Sequence, residues 1–100
     1  MACIDFNNLQ SLKTVSETLN IMPLKEKLQA FGWHVQECNG HNHKLIKESL
    51  DNCRKFKNLP SAIIFKTIKG KGVSFMENKV SWHYKSPDKR ELKLALEEIG

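Results

Sequence analysis

The chain has no long hydrophobic run. None of its stretches approaches the ~20 apolar residues that a membrane span requires, so the sequence predicts no membrane partner. Residues 1–5 also lack the basic and hydrophobic regions of a secretory signal. We therefore expect a cytoplasmic location.

Cysteine is scarce and has no recognisable pattern. Cys3, Cys38 and Cys53 form an odd set without the CxxC spacing of metal and redox sites, and free thiols, buried in a reducing compartment, explain them most simply. Cys38, His41 and His43 would need to converge, usually with a fourth ligand, to hold zinc. They fall on a strand-to-helix turn, so we favour a structural connection there.

Repeats and low-complexity tracts are also absent. A length of 100 residues with 40% hydrophobic content suits a single globular domain with one core. The net charge of +5 favours an anionic partner such as phosphate, nucleic acid or an acidic surface. The lysines are scattered among acidic residues, however, which is more typical of solvated faces than of a nucleic-acid-binding stripe.

Strand-like and helix-like segments alternate along the chain. The predicted strands span residues 2–6, 33–38 and 62–65. The predicted helices are one turn after Thr14, residues 23–31 with Pro23 in the first turn, residues 42–56 capped by Asn42, and a last helix capped by Ser86 with Pro87 in its first position. Residues 69–85 are predicted to form a long ordered loop, with a helical turn near 74–78. This order predicts an α/β fold, a three-layer αβα arrangement with a parallel sheet.

Each of the three longer helices carries apolar residues at helical spacing, which predicts a face packed on the core. These faces are Leu24, Leu28 and Phe31; Ile46, Leu50 and Cys53; and Leu92, Leu96 and Ile99.

Two segments that follow predicted strands carry chemistry. In an open parallel sheet, ligands bind beyond the carboxyl ends of the strands. The first strand ends in Asn7-Asn8-Leu9, where the amide oxygen of Asn7 and the carbonyl of Leu9 can point into one small pocket. Mg²⁺ takes such oxygens, although an Asn-Asn pair after a strand is more often only a turn.

The third strand leads into Lys69-Gly70-Lys71-Gly72. Glycine permits close approach of the backbone and lysine favours phosphate, but the segment is not a Walker motif, and a basic surface turn is the alternative. Beyond it lies His83. A histidine beside phosphate can donate a hydrogen bond or carry positive charge, and histidine suits proton transfer near neutral pH.

Four segments in a fixed order carry a family resemblance: Phe6-Asn7-Asn8-Leu9-Gln10-Ser11-Leu12, Ala30-Phe31-Gly32-Trp33, residues 66–78, and Trp82-His83. Through them, the chain from Ile4 to about Ile99 resembles the thiamine-diphosphate-binding domain of transketolase. The likeness is greatest to the split form, in which the diphosphate-binding half is a separate amino-terminal subunit. Two differences are Phe6, where the family often has a polar residue, and Leu12-Lys13, where many members have Asp-Gly.

The resemblance implies a transferase that moves a two-carbon ketol unit between sugar phosphates, with thiamine diphosphate and Mg²⁺ (or Ca²⁺) as cofactors. In the family, the metal contacts an aspartate of a Gly-Asp-Gly motif, a later asparagine, and a carbonyl two residues on. Asn7 matches that asparagine and Leu9 that carbonyl, whereas Gly-Asp-Gly has no counterpart in this chain. His83 matches the family's histidine near diphosphate and substrate, which implies a role in cofactor binding and catalysis.

The resemblance also implies that residues 1–100 are the later half of the diphosphate-binding domain, a fragment inactive alone. Its partner would be the carboxyl-terminal, pyrimidine-binding subunit, which supplies the glutamate that activates the cofactor, within an oligomer. Two alternatives remain open. One is a non-catalytic interaction module derived from the family. The other is a small basic phosphate- or nucleic-acid-binding protein that uses Lys66, Lys69, Lys71 and Lys79.

Overall fold

The computed structural model describes residues 1–10 and 13–100. The strands are β1 (Ala2–Phe6), β2 (Leu9–Gln10), β3 (Lys13–Thr14), β4 (His34–Asn39) and β5 (Ser61–Lys66). The helices are α1 (Val15–Thr18), α2 (Leu24–Ala30), α3 (His43–Cys53) and α4 (Lys89–Ile99), with a short 3-10 helix at Val80–His83. Among the described residues, no helix is long and apolar enough to cross a membrane.

The main sheet is parallel and has the strand order β1-β5-β4. The central strand β5 pairs with β1 from Ala2 opposite Ala62 to Phe6 opposite Lys66, and Asn39 of β4 is also in register with Lys66. Ile63 of β5 is fully buried because both faces of this strand are covered. The predicted three strands, their order in the chain and the αβα arrangement are therefore confirmed. The short hairpin β2-β3 was not predicted.

The core lies on both faces of β5. On one face, Val35, Ala62 and Ile64 form a buried cluster against which Leu24 and Leu28 of α2 pack. The other face is covered by α3, whose buried residues are Ser49 and Cys53. The side chain of Gln36 on β4 reaches across to α3: its Nε2 lies 3.3 Å from the Ser49 carbonyl oxygen and 3.2 Å from Cys53 Sγ.

The predicted core face of α2 is wrong in part, and that of α4 is wrong as a whole. Phe31 is 81% exposed, because α2 ends at Ala30 and Phe31 lies beyond it as the C-cap. Leu92, Leu96 and Ile99 of α4 are also largely exposed, and the buried residue of that helix is Ala95. None of the closely packed pairs of elements within the described residues includes α4, so its apolar face has no sheet to pack on.

Two helix starts differ from prediction. Asp88, not Ser86, is the N-cap of α4: its side chain accepts a hydrogen bond from the Glu91 N–H at 2.8 Å, and Glu91 accepts one from the Asp88 N–H at 2.9 Å. Pro23 is the N-cap of α2 rather than a residue of its first turn. The predicted capping box at Thr14 and the Asn42 cap of α3 are both present.

The cysteines are unpaired, as expected, but they are not all buried. Cys53 is buried, Cys38 is half-buried and Cys3 is exposed. Cys3 is in register with Ile63 on the face that α3 covers, but α3 packs against β4 and β5 and leaves the β1 side of that face open.

Candidate functional site

The carboxyl ends of β1 and β5 lie side by side. Phe6 is in register with Lys66, and the Thr67 N–H donates to the Phe6 carbonyl at 3.2 Å, which continues the pairing one residue further. Thr67 Oγ1 also donates to the carboxylate of Asp5. The chain segments that leave these two strands therefore start from one fixed edge of the sheet.

A cleft of about 310 Å³ opens at this edge. It brings together Asn7 and Leu9 from the segment after β1 and His83 from the segment after β5, the three residues that the sequence singled out. The full lining is Asn7, Leu9, Gln10, Lys69, Val80 and His83.

The segment after β1 is a tight turn. The Leu9 N–H donates to Asn7 Oδ1 at 3.0 Å, and Asn8 adopts a left-handed φ of 61°. The Asn8 carbonyl accepts the N–H of Val15 at 3.0 Å, which ties the turn to α1. An amide oxygen has two lone pairs, so Asn7 Oδ1 keeps one for a further partner.

The oxygen donors of this cleft fit a hard cation in part. Asn7 and Leu9 offer neutral oxygens of the kind that Mg²⁺ and Ca²⁺ accept, but none of the described residues that line the cleft is a carboxylate. Across residues 1–10 and 13–100, no group of three or more His, Cys, Asp or Glu side chains could hold a metal ion. A metal here would need oxygens from an anionic ligand and a carboxylate from elsewhere.

Two lysines of the basic loop have different surroundings. Lys71 pairs with Glu77 at 3.3 Å, and the Gly72 N–H donates to Glu77 Oε1 at 3.2 Å. These hydrogen bonds, first from Gly72 and then from Lys71, hold the pKa of Glu77 below its ordinary value. Lys69 lines the cleft instead, and its carbonyl accepts the Asn78 N–H at 3.0 Å, which closes the loop on itself.

An aromatic anchor fixes the short 3-10 helix that carries His83. Trp82 Nε1 donates to the Phe75 carbonyl at 3.1 Å, and the two rings lie 5.6 Å apart. Lys85 Nζ lies 4.2 Å from the centroid of the Trp82 ring, within cation–π range. His83 therefore reaches the cleft from a backbone that its neighbour holds in place.

Two further contacts tie the 67–83 segment to the rest of the molecule. The Ile68 N–H donates to His41 Nε2 at 2.7 Å. Glu98 of α4 accepts from the Ser74 N–H at 2.5 Å and from Ser74 Oγ at 2.7 Å, which lowers the pKa of Glu98. His41 thus acts as a hydrogen-bond acceptor from the loop, in keeping with a structural turn rather than a zinc site.

Sequence reasoning did not assign three lining residues to this site. Gln10 belongs to a segment that was singled out, Lys69 belongs to a loop for which phosphate binding and a basic surface turn were both open, and Val80 has no chemical signal in the sequence. The strand-end rule could have found Gln10, since it lies in the segment that leaves β1. Ser11 and Leu12, which end that segment, lie outside the described residues. Of the two positions at which Leu12-Lys13 differs from the family, only Lys13 is therefore described.

Comparisons with known proteins agree with the fold and with the resemblance. The family described as the transketolase thiamine diphosphate binding domain matches residues 3–100. A crystal structure of transketolase from Campylobacter jejuni superposes with a TM-score of 0.89 at 28% identity, over 98% of this chain and 15% of that one.

Two curated relatives are single subunits of transketolases. The 6-deoxy-6-sulfo-D-fructose transketolase subunit SqwG of Clostridium sp. (strain MSTE9) is 36% identical over 99% of this chain and 36% of its own length. One of the subunits of the apulose-4-phosphate transketolase from Actinobacillus succinogenes is 37% identical over 95% of this chain and 34% of its own length. The chain therefore spans about a third of the length of these relatives.

Proposed function

Because this chain belongs to the transketolase thiamine-diphosphate-binding domain family, we propose that it supplies one side of a thiamine diphosphate site that transfers a two-carbon ketol unit between sugar phosphates. The observation that carries the proposal is the cleft at the carboxyl ends of β1 and β5. Asn7 and Leu9 lie there beside Lys69 and His83, although more than half of the chain separates the two pairs. Parallel α/β sheets bind their ligands at this edge.

Each lining residue has a role that its chemistry supports. Asn7 Oδ1 and the Leu9 carbonyl would hold Mg²⁺ or Ca²⁺. Lys69 and His83 would face the diphosphate, Lys69 as a point charge and His83 as a hydrogen-bond donor. His83 is also suited to hold or move a proton on the sugar substrate. When bound, thiamine diphosphate supplies the carbanion-stabilising chemistry, and the protein positions the reactants.

The site is incomplete in this chain. The described residues that line the cleft include no carboxylate, and the chain spans about a third of its subunit relatives, 36% in one case. We propose that residues 1–100 form the later half of the diphosphate-binding domain. The acidic metal ligand and the glutamate that activates the cofactor would come from other segments, the latter from a pyrimidine-binding partner subunit in an oligomer. The chain alone would then be inactive in ketol transfer.

The structure gives less support to a basic nucleic-acid surface. Of the four lysines that such a surface would use, Lys66 pairs with Glu37 at 3.4 Å and Lys71 pairs with Glu77 at 3.3 Å. Two of the four positive charges are thus offset by carboxylates. Strong salt dependence of binding to nucleic acid would be the result that favours this alternative.

The test is calorimetric titration of the chain with thiamine diphosphate in excess Mg²⁺. We expect saturable binding that requires the metal, and we expect Asn7→Ala and His83→Ala each to weaken it by about 10- to 100-fold, the loss of one hydrogen bond or ligand to a charged group. The matched controls are Asn58→Ala and His43→Ala, which replace exposed residues outside the cleft lining.

Equal weakening by cleft and control variants would contradict the site assignment. A titration with inorganic pyrophosphate measures the contacts to the diphosphate separately from those to the rings of the cofactor. Lys69 and His83 would contribute to the affinity for pyrophosphate, which has no rings. Ketol transfer by the isolated chain, without a pyrimidine-binding subunit, would contradict the proposed division of the site.

A further inference from the structure

The turn that joins β4 to α3 packs against the loop that follows β5. The Gly40 N–H donates to the Lys66 carbonyl at 2.9 Å, at the point where β5 ends. A Cβ at Gly40 would lie 2.5 Å from Thr67 Cγ2 and 3.0 Å from Phe65 Cβ, so the two backbones approach too closely for a side chain. The turn is therefore in close contact with the start of the 67–83 segment.

The next residue of the turn, His41, holds the loop by one hydrogen bond. The His41 N–H donates to Asn39 Oδ1 at 2.9 Å, and its ring nitrogen Nε2 accepts the Ile68 N–H at 2.7 Å. The Ile68 carbonyl accepts the Lys71 N–H at 3.2 Å, so both backbone polar groups of Ile68 are occupied. Lys69, which lines the cleft, directly follows this anchored residue.

The hydrogen bond between His41 and Ile68 requires a neutral imidazole. Because Nε2 accepts the Ile68 N–H, the proton of the neutral ring must be on Nδ1. In the protonated ring both nitrogens are donors, so protonation removes the acceptor and sets two N–H groups against each other. Histidine is the side chain that ordinarily changes charge between about pH 5 and pH 8. The contact is therefore expected to weaken as the pH falls through this range.

A carboxylate near His41 favours the released state. Glu77 interacts with the charge of His41, and hydrogen bonds from Gly72 and then from Lys71 keep the pKa of Glu77 below its ordinary value. Glu77 is therefore ionised wherever histidine titrates, and an imidazolium would turn from the Ile68 N–H toward it. The other charged or titratable groups on the elements around this turn are Asp5, Glu37, His43, Lys44, Lys66 and Lys69.

We propose that His41 is a positioning residue for the cleft and makes the affinity of the cleft for a diphosphate depend on pH. The neutral side chain holds Ile68, so that Lys69 faces the ligand, whereas the protonated side chain releases this end of the loop. The proposal rests on the proposed function in so far as the ligand is a diphosphate. The hydrogen bond and the order of the loop exist without any ligand.

The first test needs no ligand. Nuclear magnetic resonance of the isotope-labelled chain should show a coupling across the hydrogen bond between the Ile68 nitrogen and His41 Nε2 at about pH 8, and its loss at about pH 5. His41→Ala should lower the protection of the Ile68 and Asn78 amides against hydrogen exchange by about 2- to 10-fold, the equivalent of one neutral hydrogen bond. Asn78 reports on Lys69, whose carbonyl accepts its N–H. His41→Gln, whose amide oxygen accepts at any pH, should keep the protection, and so should the control His43→Ala.

Titration with inorganic pyrophosphate in excess Mg²⁺ measures the effect on the cleft. At about pH 8, the wild-type chain and His41→Gln should bind equally well, and His41→Ala should bind about 2- to 10-fold more weakly. At about pH 5.5, the Kd of the wild-type chain should rise by about 2- to 10-fold relative to that of His41→Gln. Comparison at each pH removes the titration of pyrophosphate and of His83, which both proteins share. The control His43→Ala should follow the wild-type chain throughout.

Three results would overturn the proposal: no coupling between Ile68 and His41, unchanged protection of Asn78 in His41→Ala, or a wild-type Kd that stays parallel to that of His41→Gln at every pH. If no variant bound pyrophosphate while the coupling and the protection behaved as expected, the proposed function would fail and the role of His41 in holding the loop would stand.

Discussion

Replacing Gly70 by alanine should displace the loop that carries Lys69. Gly70 has a φ of +73°, and a Cβ built there would lie 2.8 Å from the main-chain carbon and oxygen of Met76. Real Cβ atoms do not approach backbone atoms so closely, so the 70–76 backbone must move. That movement strains two hydrogen bonds. The Met76 N–H donates to the Val73 carbonyl at 2.9 Å, and the Asn78 N–H donates to the Lys69 carbonyl at 3.0 Å.

The magnitude follows from two separable costs. An alanine at left-handed φ costs about 1–2 kcal/mol relative to glycine, and each weakened backbone hydrogen bond costs about 1 kcal/mol more. Gly70→Ala should therefore lower the free energy of unfolding by about 3–4 kcal/mol. Gly72 is the matched control: its φ is +98°, but a Cβ there would meet nothing within 4 Å. Gly72→Ala should cost only the backbone part, about 1–2 kcal/mol.

Urea denaturation of both variants measures the difference, and titration with inorganic pyrophosphate in Mg²⁺ measures its effect on the cleft. We expect Gly70→Ala to be the less stable variant and to bind pyrophosphate more weakly than Gly72→Ala. If Gly70→Ala were as stable as Gly72→Ala and bound equally well, the contact between Gly70 and Met76 would not be what positions Lys69.

Two other predictions concern carboxylates. Hydrogen bonds from Gly72 to Glu77 and from Ser74 to Glu98 lower the pKa values of these two carboxyl groups in the folded state. The two ionised carboxylates therefore stabilise the folded state fully above about pH 4.3, the ordinary pKa of glutamate. This stabilisation is lost as the pH falls through their lower folded-state pKa values. In a Trp33→Phe variant, the fluorescence of Trp82 should therefore change below about pH 4. Adding Glu98→Gln to that variant should produce part of the same change already at pH 7. Fluorescence that does not change with pH in either variant would contradict the role of these hydrogen bonds. Asp88→Ala should lower the free energy of unfolding by about 1 kcal/mol through loss of the α4 cap, and Ser86→Ala should leave it unchanged; the reverse order in urea denaturation would restore Ser86 as the cap.

The sheet was predictable from local sequence because its central strand is unambiguous. The run Ala62-Ile63-Ile64-Phe65 is apolar on both faces, which is typical of a strand covered by helices on both sides. The α4 face was not predictable in the same way. Periodicity shows that Leu92, Leu96 and Ile99 share a side of a helix, but it carries no information on what, if anything, covers that side.

The prediction of Ser86 as the cap of α4 was wrong for a different reason, since two candidate caps precede that helix. Ser86-Pro87 and Asp88 both precede the helix, and both match helix-start statistics. What distinguishes Asp88 is the reciprocal pair of hydrogen bonds with Glu91, three residues on, together with the pairing of Lys85 with Glu91. The capping-box rule, applied to every candidate residue, favours Asp88.

The resemblance implied that Asn7, Leu9 and His83 share one site, and the strand-end rule pointed to the segments after β1 and β5, whereas neither selected Lys69 over its neighbours. Two neighbouring lysines are held by carboxylates, Lys66 by Glu37 and Lys71 by Glu77, and these pairings depend on three-dimensional contacts. Among the described residues, Lys69 is the lysine of this loop that lines the cleft.

The positive charge of Lys69 in the cleft affects how a metal ion and a diphosphate would bind there. Asn7 and Leu9 offer a cation neutral oxygens only, and the nearby charge of Lys69 opposes a cation that arrives alone. An anionic diphosphate meets Lys69 favourably, but one lysine neutralises only part of its charge. If the two were bound together, the metal would neutralise the diphosphate and the diphosphate would supply the anionic oxygens that Asn7 and Leu9 do not. The geometry therefore favours joint binding, so that Mg²⁺ alone should bind far more weakly than Mg²⁺ with pyrophosphate.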